Sequence, residues 1–253
     1  MSIRADTLFA RFLDFEPPAH TTPGVRFIVR RMGKETKQGV DIPNEKDLDA
    51  VVRLSHDDQR IREANIHLTP EKRRTLYYDW WVANNNAFWL LEKHEHGRAT
   101  VIGNTCMLPL SDDGVKHILN STENNNLVLT LRKPLICPDP SPFSALLFDT
   151  WVIREKYQRP HRHQGYGYAN VLKHLSEFFD DQTINSARLI VDPSNATMKS
   201  QLCEMRFKPM ENERFIELDY NRCIHDLPAQ EGHYLERMRT KVLEYKARDL
   251  SQI

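Results

Sequence analysis

Apolar positions along the chain switch between two periods, and the switches lay out an α/β order. Residues 25–32 mix β-branched and aromatic side chains with arginines and predict a first strand. Residues 33–39 are polar and read as a loop. Asn44 then precedes Asp47, Leu48, Asp49, Ala50, Val51 and Val52, a capping side chain ahead of an acidic first turn, which predicts a helix. A second helix starts at Thr69-Pro70, where a capping hydroxyl is followed by proline at the first helical position. Within it Leu76, Tyr77, Trp80, Trp81 and Val82 recur at helical spacing and predict a buried face. The same aromatics would also suit the mouth of a substrate site. Residues 88–91 and 100–110 flank a polar, glycine-containing stretch and predict a hairpin. His94 and His96 near its tip would share a strand face, but two imidazoles without further ligands do not make a metal site.

Residues 111–144 are less regular. They hold a short helix over 115–119, an asparagine turn at 124–126, an apolar strand over 127–131 and a proline-rich run over 137–142. Regular alternation then returns: a strand over Ala145 to Ile153, a basic turn, a helix over 165–179 and a strand over 187–191. A turn at 192–195 opens a helix running to about Met205, and a strand follows over 214–218. Residues 232–250 predict a last helix, whose Leu235, Met238, Val242 and Tyr245 form an apolar seam for the chain's own core or for a dimer partner. The organisation expected is a lead-in over 1–24, a domain over 25–220 with an insertion near 111–144, and a helical extension over 221–253.

Composition narrows the class. Of 253 residues 40% are hydrophobic and 28% charged, an ordinary globular mixture. Lys plus Arg equals Asp plus Glu at 35 each, so no overall charge draws the chain to nucleic acid or a membrane surface. Cys106, Cys137, Cys203 and Cys223 stand far apart, with neither metal-ligand nor disulfide-framework spacing, and reduced thiols in a cytoplasmic protein are expected. Charges interrupt residues 1–16 too often for a signal-peptide core, and no run approaches the ~18 apolar residues of a membrane helix.

The chemistry concentrates in residues 162–175. A polar, basic turn containing Gly165 and Gly167 leads straight into an apolar helix. Glycines let a backbone bend sharply and approach a ligand. The first N–H groups of a helix lack intrahelical partners and favour negative charge, which makes an anion site suited to phosphate or pyrophosphate. Arg159, His161, Arg162 and His163 surround it, as phosphate contacts or as a solvated basic loop.

Arg162-x-x-Gly165-x-Gly167 resembles the acyl-CoA-binding motif of the GNAT superfamily of N-acetyltransferases. The element order over 25–218 is similar to that fold, as are the acidic helix start over 47–52, the hydrophobic-glycine pair in Val101-Ile102-Gly103, the segment Leu189-Ile190-Val191 followed by Asn195, and the aromatic Phe207. The resemblance implies a mixed, mostly antiparallel α/β sheet flanked by helices. It implies acetyl-CoA as cosubstrate, no metal, and a small-molecule or protein amine as acceptor, in a monomer or homodimer. It places the cofactor along Val152, Ile153, Arg159, Arg162, His163, Gln164, Gly165, Tyr166, Gly167 and Tyr168, with Asn195 either on the pantetheine arm or capping its helix. In two respects the chain departs from the family: no tyrosine lies between Asn195 and Phe207, where members often carry a general acid, and residues 111–144 are an insertion relative to a compact member, part of which is expected to border the acceptor site.

Acetyl transfer to an amine needs a base for the acceptor, a donor for the developing oxyanion and a proton for the departing thiolate. Asp149, a carboxylate within the apolar run Leu146 to Trp151, is the expected base, because burial raises a carboxyl pKa toward working pH. Pairing with an arginine or backbone N–H is its structural alternative. Glu155 would share strand parity with Asp149 and is the second choice. Cys203, with an ordinary thiol pKa of about 8.5, and Tyr168 are possible acids; a core role for the cysteine, with solvent as acid, is the other reading. Two further classes stay open: a catalytically inactive GNAT-like binding module, and a dinucleotide-binding oxidoreductase, for which Asn170 leaves the glycine fingerprint incomplete.

Overall fold

A computed structural model describes residues 24–58, 68–122, 126–154, 157, 164–180, 183–193, 199–200, 202–203, 207–221 and 229–248. Nine strands are present among them: β1 (Val25–Arg31), β2 (Lys34–Lys37), β3 (Val40–Pro43), β4 (Phe88–Glu95), β5 (Arg98–Leu110), β6 (Ala145–Ile153), β7 (Arg188–Val191), β8 (Lys208–Pro209) and β9 (Ile216–Asp219). The longer helices are α1 (Glu45–Asp57), α2 (Pro70–Ala83), α3 (Asp112–Leu119), α4 (Gln164–Phe178) and α5 (Ala229–Ala247). Seven strands form one sheet in the order β1-β4-β5-β6-β7-β9-β8. Every neighbouring pair is antiparallel except β6 and β7. A doubly wound dinucleotide fold needs a mostly parallel sheet, so the oxidoreductase reading is set aside.

Local chemistry explains the elements. Asn44 caps α1 by accepting from the N–H of Asp47, and Thr69 caps α2 by accepting from that of Lys72. Arg30 holds the start of α1 to the sheet, donating to Asp47 at 2.7 and 2.8 Å and to Glu92 at 2.6 Å. Positive φ at His96 and Gly97 (51° and 75°) gives the β4–β5 hairpin the turn that suits strand twist. The same pattern at Gln38 and Gly39 (53° and 79°) makes a second hairpin, β2–β3, out of residues expected to form a loop. His94 is in the strand and bonds Glu92 at 3.0 Å while His96 is in the turn, so the two do not share a strand face as expected.

Each face of the sheet carries its own core. On one lie α4 and α5, with Tyr166, Ala169, Leu172, Met238, Val242 and Tyr245 buried against Ile102, Met107 and Leu146. The seam of α5 thus docks on the chain's own core. On the other face lie α1, α2 and α3, with Val51, Leu76, Tyr77, Trp80 and Ile118 buried against Leu90, Cys106 and Leu147. Val82, expected on the buried face of α2, is 42% exposed. Arg73 lies on that buried face instead.

The inserted residues build onto the second core. Val115, Ile118, Val128, Leu131 and Ile136 are buried there. Residues 127–130 form a 3-10 turn rather than the expected strand: Val128 and Leu131 bury three positions apart, and Trp80 Nε1 donates to the Leu131 carbonyl at 3.2 Å.

Candidate active site at the β6 bulge

β5 and β6 pair from Leu110↔Ala145 to Met107↔Phe148, and pairing resumes at Cys106↔Thr150. Asp149 is therefore the extra residue of a β-bulge. On its other side β6 runs parallel to β7 through Leu146, Leu147 and Phe148 only. Asp149 marks the point where β6 loses its second neighbour and the sheet opens. Past it, Trp151 and Ile153 turn to the α4 face, where the backbone of Gly167 packs against them.

Alternation from Leu147 already aims Asp149 at the α1–α2 face, and the bulge adds Thr150 beside it. Thr150 Oγ1 donates to Asp149 Oδ2. The charge of Asp149 is felt by the Tyr77 phenol and the Cys106 thiol, both in the α1–α2 core. Asp149 is half-buried. Burial pushes its carboxyl up to about 6; the Thr150 hydrogen bond works against this, Asp192 adds to it and Arg73 opposes it. A carboxylate of that pKa is ionised at neutral pH and still basic enough to take a proton from an amine in transit. Burial pushes the Tyr77 phenol up to about 12 and the Cys106 thiol well above its ordinary range, so both stay protonated. Of Asp149, Tyr77 and Cys106, Asp149 is the one that is ionised at neutral pH.

Facing it on α2 is Arg73, 2% exposed. Its Nη1 donates to the Tyr77 hydroxyl at 3.3 Å, while Nε and Nη2 have no hydrogen-bond partner among the described residues. Arg73 and Tyr77 stand four apart on one helix face. The sequence signal for Arg73 was a cation at an apolar position of the α2 pattern. Thr150 and Cys106 gave no signal, because only the bulge brings them to Asp149.

The glycine turn divides. α4 begins at Gln164, so Gln164 and Gly165 open the helix as expected. Arg159, His161, Arg162 and His163 lie outside the described residues, as do Glu155 and Asn195. A Cβ on Gly167 would come 2.1 Å from Ile153 Cδ1 and 3.2 Å from Trp151 Cζ2, so this glycine serves helix–strand packing. Tyr166 is 2% exposed and stacks on Phe27 with ring centroids 4.0 Å apart, which makes it core. Tyr168 is partly open and lies on Trp151 at 5.2 Å. Val152 and Ile153 are buried on β6. The parity argument for Glu155 loses its basis at the bulge, since Trp151 and Ile153 face α4 while Asp149 faces α2. Cys203 is half-buried, and its neighbour Leu202 packs on the α4-side core.

No protein-family model and no curated protein matches the chain. Solved structures that resemble it include a tyrosine-to-phenylalanine mutant of the AtaT toxin bound to the C-terminus of the antitoxin AtaR and acetyl-CoA, with 12% identity, TM-score 0.35, and coverage of 79% of this chain and 95% of that one. A second structure of the same toxin mutant gives 12% identity, TM-score 0.34, and coverage of 81% of this chain and 93% of that one. A cAMP-binding acyltransferase from Mycobacterium smegmatis gives 10% identity, TM-score 0.32, and coverage of 89% of this chain but 58% of that one. What this chain shows by itself is a mixed α/β fold whose mostly antiparallel sheet opens beside a half-buried carboxylate.

Proposed function

We propose that the chain is an acetyl-CoA-dependent N-acetyltransferase that moves an acetyl group to a primary amine by direct attack on the thioester. The observation that supports it most is the placement of Asp149: a carboxyl raised to about 6 at the point where β6 parts from β7. From Asp149 onward no described strand pairs with β6 on its β7 side. That edge suits an extended, amide-bearing pantetheine arm, and the start of α4 at Gln164 and Gly165 suits the pyrophosphate. Bound there, acetyl-CoA supplies an activated acyl carbon. Asp149 takes a proton from the acceptor amine, the amine nitrogen bonds to that carbon, the C–S bond breaks, and the thiolate takes a proton from solvent. A solvent acid fits the lack of a tyrosine between Asn195 and Phe207.

The test is acetyl-CoA-dependent CoA release by the purified chain with amines of several classes: protein lysines, chain N-termini, polyamines, amino acids and aminoglycosides. One class should stimulate release. Failure with all of them, together with no acetyl-CoA binding by calorimetry, would overturn the proposal.

A further inference from the structure

α2 is apolar on more sides than one core can cover. Leu76, Tyr77, Trp80 and Trp81 bury against the sheet, yet Tyr78 and Val82, four apart on the opposite side, are 36% and 42% exposed. α1 and α3 gather their apolar residues on one side; α2 does not, the pattern of a helix covered from both directions. Among the described residues the other large hydrophobic side chain this open to water is Val40, 62% exposed, beside the turn of the β2–β3 hairpin. That hairpin packs along α2 through β3. Between them lies an open groove of about 230 Å3, lined by Ile42, Pro43, Leu48 and Tyr78, with Glu45 and Arg74. Val40 and Ile42 are two apart on β3 and share one face of the ribbon, so an apolar knob stands next to an apolar socket. The charges at the socket are matched within the chain: Glu45 accepts from Lys37 at 2.8 Å, and Arg74 lies 3.3 Å from Asp49.

We propose that this surface pairs two copies of the chain about a two-fold axis, Val40 of each copy entering the Ile42–Leu48–Tyr78 groove of its partner, with Val82 at the margin. A two-fold contact is self-complementary, so one interface fills both grooves and takes both valines out of water. With Lys plus Arg equal to Asp plus Glu at 35 each, two copies bring no net charge to repel one another. An acidic or basic peptide would compete with the Lys37–Glu45 and Arg74–Asp49 pairs for its own contacts. A small apolar molecule would fill the groove and leave Val40 and Val82 in water. The pairing is independent of acetyl transfer, because the groove lies on the side of α2 away from Tyr77 and Trp80, which bury against the sheet. The contact is small, which sets a dimer of micromolar affinity.

The experiment is sedimentation of the full chain up to ~100 μM, a range that brackets micromolar association, followed by cross-linking. The wild type should shift from monomer to dimer as concentration rises. Val40→Glu and Val82→Glu should each weaken the dimer ~10-fold or more, since each would bury an unpaired charge between the copies. Both positions are exposed in the single chain, so the denaturation midpoint in dilute solution should stay close to wild type. Copies carrying Val40→Cys, mixed with copies carrying Thr75→Cys at the groove, should form a disulfide between the two substituted positions under mild oxidation, identified by the mass of the linked peptides. If one charged variant does not fold, the other and the mixed disulfide decide. A monomer at every concentration, a dimer that the charged variants leave intact, or absence of the mixed disulfide would overturn the inference. So would a monomer whose groove takes up anilinonaphthalene sulfonate and loses it in Tyr78→Glu, which would make the groove a small-molecule site instead.

Discussion

Thr150 donates its hydroxyl to the carboxylate of Asp149, the residue immediately before it. Consecutive side chains on a regular strand point to opposite faces, so this bond exists because the bulge leaves Thr150 on the face that Asp149 takes by alternation from Leu147. The bulge thus supplies the carboxylate with a donor that keeps it oriented, at the position where the pairing of β6 with β7 stops.

A carboxylate so placed should weaken the fold, with a pH signature. The folded pKa of Asp149, about 6, lies above its ordinary value of 3.8. The folded state therefore holds the proton more tightly, and the unfolded chain gives it up first as pH rises. Stability from this group is fully present below pH 3.8 and declines up to about pH 6. Relative to Asp149→Asn, the wild type should lose about 2 kcal/mol between pH 4 and 7, from ~1.4 kcal/mol per pKa unit. Urea unfolding of both proteins across that range checks it; parallel stability curves would contradict a raised pKa.

His174 should act in the opposite sense. Its Nε2 lies 2.8 Å from the Asn86 carbonyl, which only accepts, so Nε2 carries the proton and Nδ1 accepts from Thr105 at 2.8 Å. Burial holds this imidazole down to about 3. Its stabilisation is complete above pH 6.5 and is lost as pH falls toward 3. His174→Gln should flatten the acid limb of a stability–pH curve that the Asp149→Asn variant leaves steep.

The two glycines of the turn should separate by measurement. Gly167→Ala places a methyl against Ile153 and Trp151 and should destabilise the fold by about 1–3 kcal/mol, the usual range for overpacking. Gly165→Asp puts a negative charge at the opening of α4. It should leave the denaturation midpoint close to wild type and abolish acetyl-CoA binding in calorimetry. Intact binding in a folded Gly165→Asp would remove the cofactor from this helix start.

Inside the insertion, one carbonyl ties the start of α3 to the segment that follows it. Leu135 O accepts from Ser111 N at 3.0 Å, and a Cβ on Gly114 would approach that oxygen to 2.4 Å. Alanine gains ~1 kcal/mol in helix propensity at this position. A backbone oxygen fixed by other bonds yields little, so the clash should prevail and Gly114→Ala should lower the denaturation midpoint.

Much of the architecture was legible because caps and periodicity are local signals. Asn44, Thr69-Pro70 and the α5 seam each act where the residues predict. The β2–β3 hairpin was hidden because Gln38-Gly39 shapes a turn between strands with little apolar content. Residues 127–131 deceived because an apolar run carries no period of its own when it is short. Asp149 was legible as a carboxylate in an apolar strand, whereas the turn of Thr150 onto its face was not: a bulge depends on how β5 and β6 register, which neither strand encodes alone. Arg73 was hidden by its company, one cation among the aromatics of α2.

The account stands most directly on the pH–rate profile of Asp149→Asn. With a good amine acceptor and saturating acetyl-CoA, wild-type turnover should rise through pH 6 as the carboxyl ionises. The asparagine variant keeps the shape and removes the basicity. It should bind acetyl-CoA as the wild type does, lose ~100-fold or more of the turnover at pH 7.5, the usual scale of general-base catalysis, and lose the limb near pH 6. Full activity in a folded Asp149→Asn, with the same profile as the wild type, would contradict the assignment of Asp149 as the base.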